Sequence, residues 1–178
     1  PSGISLQGFQ QANPELLKDA LKDLVEVCDF LLIDAPAGIS RDGIIPLAVA
    51  DDVILVVNPE LSSIVDALKT KILTEVIGGH VFGVIVNRAG IERSEVMTQK
   101  MEKVLGVRVI GTVPEDPNIR KATSYKTPVV IKFPASPASV AFRNIAAELA
   151  GIPTEQREGI GRESFIDRFS KVLFRGKK

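Results

Sequence analysis

The sequence predicts an α/β fold built on a doubly wound, mostly parallel sheet, and three observations carry that prediction. Four short apolar runs, Phe30–Ile33, Val53–Val57, Val81–Val86 and Val107–Val113, are rich in Val, Ile and Leu with little alternation, as expected of strands buried on both faces. Segments of helical periodicity separate them. Each run ends on its carboxyl side in polar or turn-forming residues, where open α/β sheets place their ligands.

The elements follow in order. Pro14–Val27 carries Leu16, Leu17, Leu21, Leu24 and Val25 behind Asn13 as a cap, the pattern of an amphipathic helix. Phe30–Ile33 and Val53–Val57 read as the first two strands. Leu61–Ile77 places Ile64, Leu68, Ile72, Leu73 and Val76 on one stripe, and Ser94–Leu105 does the same with Met97, Met101, Val104 and Leu105. Thr123–Pro134 reads as a loop holding a short extended piece at Val129–Ile131, and Ser136–Leu149 as a closing helix. Strands and helices alternating at these lengths argue for right-handed βαβ units. No internal repeat is visible.

Composition narrows the function classes. A chain of 178 residues with 45 % hydrophobic and 25 % charged residues is a packed domain, with room for a tail. Lysine plus arginine and aspartate plus glutamate number 22 each, so no general nucleic-acid binder is expected. Apolar stretches such as Ile44–Ala50 are too short to span a bilayer. Cys28 stands alone, so no internal disulfide can form, and it reads as a small buried hydrophobe. With no secretory signal after Pro1, a cytoplasmic setting is expected. His80, after Gly78-Gly79, reads as a surface turn residue.

The carboxyl ends of the four runs read Asp34-Ala-Pro-Ala-Gly38, Asn58-Pro-Glu60, Asn87-Arg88 and Pro114-Glu-Asp116. Turn chemistry explains any one of them. Four together, with an isolated aspartate closing an apolar strand, predict a ligand edge.

The blocks DFLLIDAPAGISRD, DDVILVVNPELSSIVDALK, VFGVIVNRAG and VIGTVPEDPNIRKA, in that order and spacing, resemble the MinD branch of the ParA/MinD ATPases, the deviant Walker A group. The resemblance covers nearly the whole chain and implies a P-loop NTPase-like fold using ATP and Mg2+. It implies that Asp34 organises the magnesium through its water, and that the Gly38 backbone approaches the terminal phosphate. Asn87 and Arg88 match the base-recognition pair, and Pro114, Glu115 and Asp116 the second wall of the adenine pocket. Glu60 matches the residue that reaches the other subunit's nucleotide in an ATP-dependent homodimer. Ser62, Ser63 and Asp66 match a surface for a regulatory or division-inhibitor protein. Simpler roles compete: the serine pair as a helix N-cap, and Glu60 and Asp66 as first-turn acids on a helix dipole.

The departure from the family is the phosphate loop. No Gly-rich turn followed by Lys and Ser/Thr occurs, and the only Gly-Lys pair is Gly176-Lys177. The chain is therefore expected to be a C-terminal portion, incomplete at its N-terminus, carrying switch II and the adenine side but no phosphate cradle. It should not hydrolyse ATP by itself, and a sheet short of its opening strands should leave an unpaired edge. The lone cysteine argues against the iron–sulfur carriers of the superfamily. The resemblance implies cell-division site placement. The alternatives are the flagellar-number regulator ATPase of the same superfamily and a non-catalytic, membrane-attached interaction module.

Residues 1–152 are expected to form the ATPase-like domain, 153–161 a linker and 162–178 an amphipathic helix. In the last segment Phe165, Ile166, Phe169, Val172 and Leu173 share one face, flanked by Arg168, Lys171 and Arg175, with Phe174 off the stripe. The segment carries a net charge of +4, which leaves −4 on the rest of the chain. A basic amphipathic helix with phenylalanines on one face has the composition of an in-plane anchor on an anionic membrane. The expected location is therefore the cytoplasm, peripheral on the inner face of the cell membrane; the competing role is a helix docked on the body. Co-sedimentation with anionic vesicles should fall as salt is raised and vanish for Phe169→Glu. Binding that survives Phe169→Glu together with a lowered melting temperature would establish the docked helix instead.

Overall fold

The computed structural model describes residues 19, 21, 24–36, 41–90 and 94–152. Its elements are α1 (Arg41–Val49), β1 (Asp52–Val57), α2 (Leu61–Val76), β2 (His80–Ala89), α3 (Ser94–Leu105), β3 (Val109–Pro114), α4 (Pro117–Ser124), α5 (Val129–Lys132) and α6 (Pro137–Leu149). The strands hydrogen-bond in the order β1-β2-β3, with β2 and β3 parallel. A parallel sheet with flanking helices is what the periodicities predict.

Two expected extended segments fail to form. Phe30–Ile33 forms no strand: the segment is irregular, with Phe30 61 % and Leu32 83 % exposed. An apolar run becomes a buried parallel strand only beside a hydrogen-bonding neighbour, and no strand of the described sheet pairs with it. Val129–Ile131 is not extended but lies in the single turn α5, where Ile131 and Lys132 N–H groups donate to the Pro128 carbonyl. Three β-branched residues too short to reach a sheet satisfy their backbone locally instead. Part of the predicted loop, Thr123 and Ser124, belongs to α4. Of the predicted helix Pro14–Val27, Asp19, Leu21, Leu24 and Val25 are helical, and residues 14–18, 20, 22 and 23 lie outside the described residues.

By compactness the chain divides into two units, Pro1–Leu55 with Glu60–Gly83 and Val56–Pro59 with Val84–Lys178. In the first, the core holds Ile45, Leu47, Val53, Leu55, Ala67, Thr74 and Val81. The apolar run from Ile44 supplies most of α1; Pro46 removes one helix hydrogen bond, and the turn closes through Ala50 N to the Pro46 carbonyl at 3.1 Å. Helix α2 buries Ala67 and Thr74 rather than the whole predicted stripe, leaving Ile72 half-exposed and Val76 76 % exposed. Thr74 can be buried because its hydroxyl donates to the Thr70 carbonyl at 2.8 Å. His80 opens β2 rather than occupying a turn, with Nδ1 2.6 Å from Asp52 Oδ1. Cys28, expected as a small buried hydrophobe, is half-buried and donates to the Leu24 carbonyl.

In the second unit α6 packs on β3. Val113, Ala138 and Ile145 form its core, joined by Ile85, Ile119, Ala141 and Leu149. Helix α3 buries Met101 and Leu105 fully but leaves Val104 half-exposed. Glu102 accepts the Val109 N–H at 2.8 Å, where β3 begins, two residues later than predicted. Among the described residues no helix is long and apolar enough to cross a membrane.

The approach of α6 to β3 requires a glycine. A Cβ on Gly111 would fall within the Ile145 side chain. Gly111→Val should therefore cost about 1–3 kcal/mol as α6 is pushed from the strand. Urea denaturation measures it, and an unchanged midpoint would show that α6 yields freely.

Candidate functional site

The carboxyl end of β2 is irregular. β2 pairs Val86 with Thr112 and Ala89 with Pro114, three steps against two, so one extra residue sits on β2 at Asn87–Arg88. Such a bulge re-aims side chains at a strand end. Arg88 adopts φ 55°, a left-handed conformation rare for a long side chain. The ladder closes beyond it: Glu115 N–H donates to the Ala89 carbonyl at 3.1 Å.

Side chains then link three strand ends within this unit. Asn87 Nδ2 donates to Asn58 Oδ1 at 3.4 Å, joining the residue after β1 to β2. Arg88 Nε donates to Glu115 Oε2 at 2.8 Å, joining β2 to the residue after β3. That hydrogen bond holds the Glu115 carboxyl below its ordinary range against partial desolvation, with the charges of Arg88 and Arg120 assisting.

Asp116 is different, being only 5 % exposed. Its carboxylate caps α4 by accepting Asn118 N–H at 2.8 Å, and its other oxygen accepts Ala138 N–H at 3.2 Å in the first turn of α6. Burial alone would raise its pKa, but donors from Asn118, Ala138 and Ser136 outweigh burial and lower it. Ser136, the N-cap of α6, accepts Ser139 N–H at 3.4 Å, and its Oγ lies 3.1 Å from Ser139 Oγ. Proline follows both caps, at Pro117 and Pro137. This Asp-Pro and Ser-Pro signature starts a helix, and it is the sequence signal for α4.

Of the residues singled out from sequence, the structure brings together Asn87, Arg88 and Glu115, with Pro114 ending β3 and Asp116 beneath, its carboxylate engaged by the fold. The other described ones lie in the first unit. Asp34 is exposed in irregular chain, not at the tip of a regular strand. Glu60 is the N-cap of α2 by backbone, φ −122° and ψ 142°, yet its carboxylate makes no cap hydrogen bond. The serine pair is therefore not the cap, since Ser62 and Ser63 lie inside α2. Asp66 lies beyond the first turn and pairs with Lys69 at 3.2 Å, so no acid of α2 serves its dipole from the first turn. Gly38 and the tail residues Phe165, Ile166, Arg168, Phe169, Lys171, Val172, Leu173, Phe174 and Arg175 lie outside the described residues. Among the described residues, no three His, Cys, Asp or Glu side chains gather into a metal cage. Asp34 offers an exposed carboxylate oxygen, a donor type that suits a magnesium ion retaining most of its water.

Residues 13–150 match the ParA family, described as NUBPL iron-transfer P-loop NTPase. An uncharacterized ATP-binding protein of Methanocaldococcus jannaschii is 46 % identical over 174 residues, which cover 98 % of this chain and 66 % of that protein. The Pyrococcus furiosus cell division ATPase MinD superposes with TM-score 0.74 and 31 % identity, over 86 % of this chain and 65 % of its own. The septum site-determining protein MinD of Pyrococcus horikoshii, complexed with Mg-ADP, gives TM-score 0.73 and 32 % identity, over 85 % and 64 % respectively. The chain thus spans about two thirds of the length of these relatives.

The Asp116 geometry fixes a pH dependence. A carboxyl lowered from its ordinary 3.8 contributes stability above that value and loses it as pH falls through the folded pKa. Asp116→Ala removes a cap and leaves Ala138 N–H unsatisfied, at a cost of about 1–3 kcal/mol at neutral pH. The gap between wild type and variant, read by urea denaturation, should narrow under acid below about pH 3.8. A gap constant with pH would contradict this account.

Proposed function

The chain belongs to the ParA family of P-loop NTPases, on its MinD branch, and from that premise we propose that it forms the adenine-binding side of an ATP-driven switch that places the cell-division site. The observation that carries this reading is the union of Asn87, Arg88 and Glu115 at the carboxyl ends of adjacent parallel strands. An asparagine amide offers one acceptor and a donor to the adenine edge, which a carboxylate or an ammonium group cannot. Pro114, Glu115 and the Asp116 backbone line the opposite side of the base. The Asp116 carboxylate, engaged by two helices, keeps that side in place rather than touching the ligand.

The remaining residues serve the other end of the nucleotide and the assembly. Asp34 would order water around magnesium, and the Gly38 backbone would serve the terminal phosphate. Bound with ATP, magnesium neutralises phosphate charge and orders the attacking water's surroundings. Glu60, its carboxylate unused by the helix it caps, reaches toward the nucleotide of a second copy. Ser62, Ser63 and Asp66 present α2 to a regulatory or division-inhibitor protein. The basic tail holds the ATP-bound homodimer on the inner face of the membrane, where two weak anchors acting together gain on the order of 10²–10⁴ in avidity.

The chain contains no phosphate loop motif. It should bind ADP weakly and show no magnesium-dependent release of phosphate from ATP. Asn87→Ala should remove the residual binding, read by isothermal titration. Turnover by the chain matching that of a complete family member would reject this reading.

A further inference from the structure

Resting on the adenine reading of Asn87, we infer that Asn58 is a positioning residue that sets base selectivity through the side-chain amide of Asn87. Three observations converge. Asn58 precedes Pro59, whose ring confines the preceding residue to extended backbone and so restricts where the Asn58 side chain starts. Asn87 sits at the extra residue of β2, beside left-handed Arg88, where its direction is set by an irregularity rather than by the strand's alternation. The two amides meet with Asn87 Nδ2 donating to Asn58 Oδ1 at 3.4 Å, and both residues are half-buried.

An asparagine amide can turn over, exchanging its oxygen and nitrogen. While Asn58 keeps its oxygen toward Asn87, turning Asn87 would set oxygen against oxygen, so that orientation of Asn58 selects one orientation of Asn87. In that orientation Asn87 keeps Oδ1 as an acceptor and one Nδ2 proton as a donor. Adenine presents an amino donor beside a ring-nitrogen acceptor and matches this pair. Guanine presents a carbonyl oxygen where adenine has its amino group, and that oxygen would face Oδ1. Asn58 touches no base in this arrangement; it discriminates by fixing its neighbour.

The test uses the whole chain, titrated with AMP and with GMP and followed by amide chemical shifts. Asn58→Leu and the smaller Asn58→Ala should each lower the preference for AMP over GMP by about five- to tenfold, the worth of one hydrogen bond. Asn58→Asp, which can only accept, should keep the wild-type preference, a rescue that a merely structural role would not give. Asn87→Ala separates the two claims. If it binds AMP like wild type, the adenine reading itself fails. If it loses AMP while Asn58→Leu and Asn58→Ala keep the wild-type ratio, the positioning role is overturned and the adenine reading stands. Asn58→Asp behaving like Asn58→Leu, or a wild-type chain without preference for AMP, overturns it as well.

Discussion

The second unit depends on one buried carboxylate. Asp116 receives donors from the first turns of two helices, and those contacts set where α4 and α6 begin relative to the end of β3. A carboxylate is the economical choice because its two oxygens accept in different directions, and an amide offers only one such oxygen. Burial works against the charge, and hydrogen bonds from Asn118, Ala138 and Ser136 outweigh that penalty. Everything above it inherits the placement. Glu115 is the covalent neighbour, so the anchor that seats two helices also sets the origin of the side chain that meets Arg88.

Much of the architecture was legible because strand signals in this class are strong. Three Val- and Ile-rich runs became β1, β2 and β3 within a few residues, and Leu61–Ile77 and Ser94–Leu105 became α2 and α3. Phe30–Ile33 carries the same signal and forms nothing, because pairing is a property of neighbours and not of the run itself. On α2 the periodicity located the helix but misjudged its buried side. Small Ala67 and self-satisfied Thr74 pack closer than the larger Ile72 and Val76.

The site divides along a similar line. That Asn87, Arg88 and Glu115 would meet followed from their places at strand ends. Periodicity carries no sign of the extra residue on β2 or of Asn58 as Asn87's partner, since both arise from the register between strands. The Asp116 cap could have been read from Asp-Pro at the start of a helix, but Pro114, Glu115 and Asp116 also fitted a ligand loop. A buried cap and a pocket wall use the same residue types, and only the donors distinguish them.

Arg88 sets stability against use at a single position. A left-handed backbone strains a non-glycine residue by about 1–3 kcal/mol, and glycine would hold φ 55° with less strain. The exposed pair with Glu115 is too solvated to offset that strain by itself; the conformation is imposed by the ladder closing at Ala89 and Pro114. In directed evolution for heat resistance alone, glycine or asparagine would be favoured at position 88, and a more robust scaffold would emerge with its guanidinium missing. Thermostabilised descendants of this fold should therefore be sequenced first at that codon.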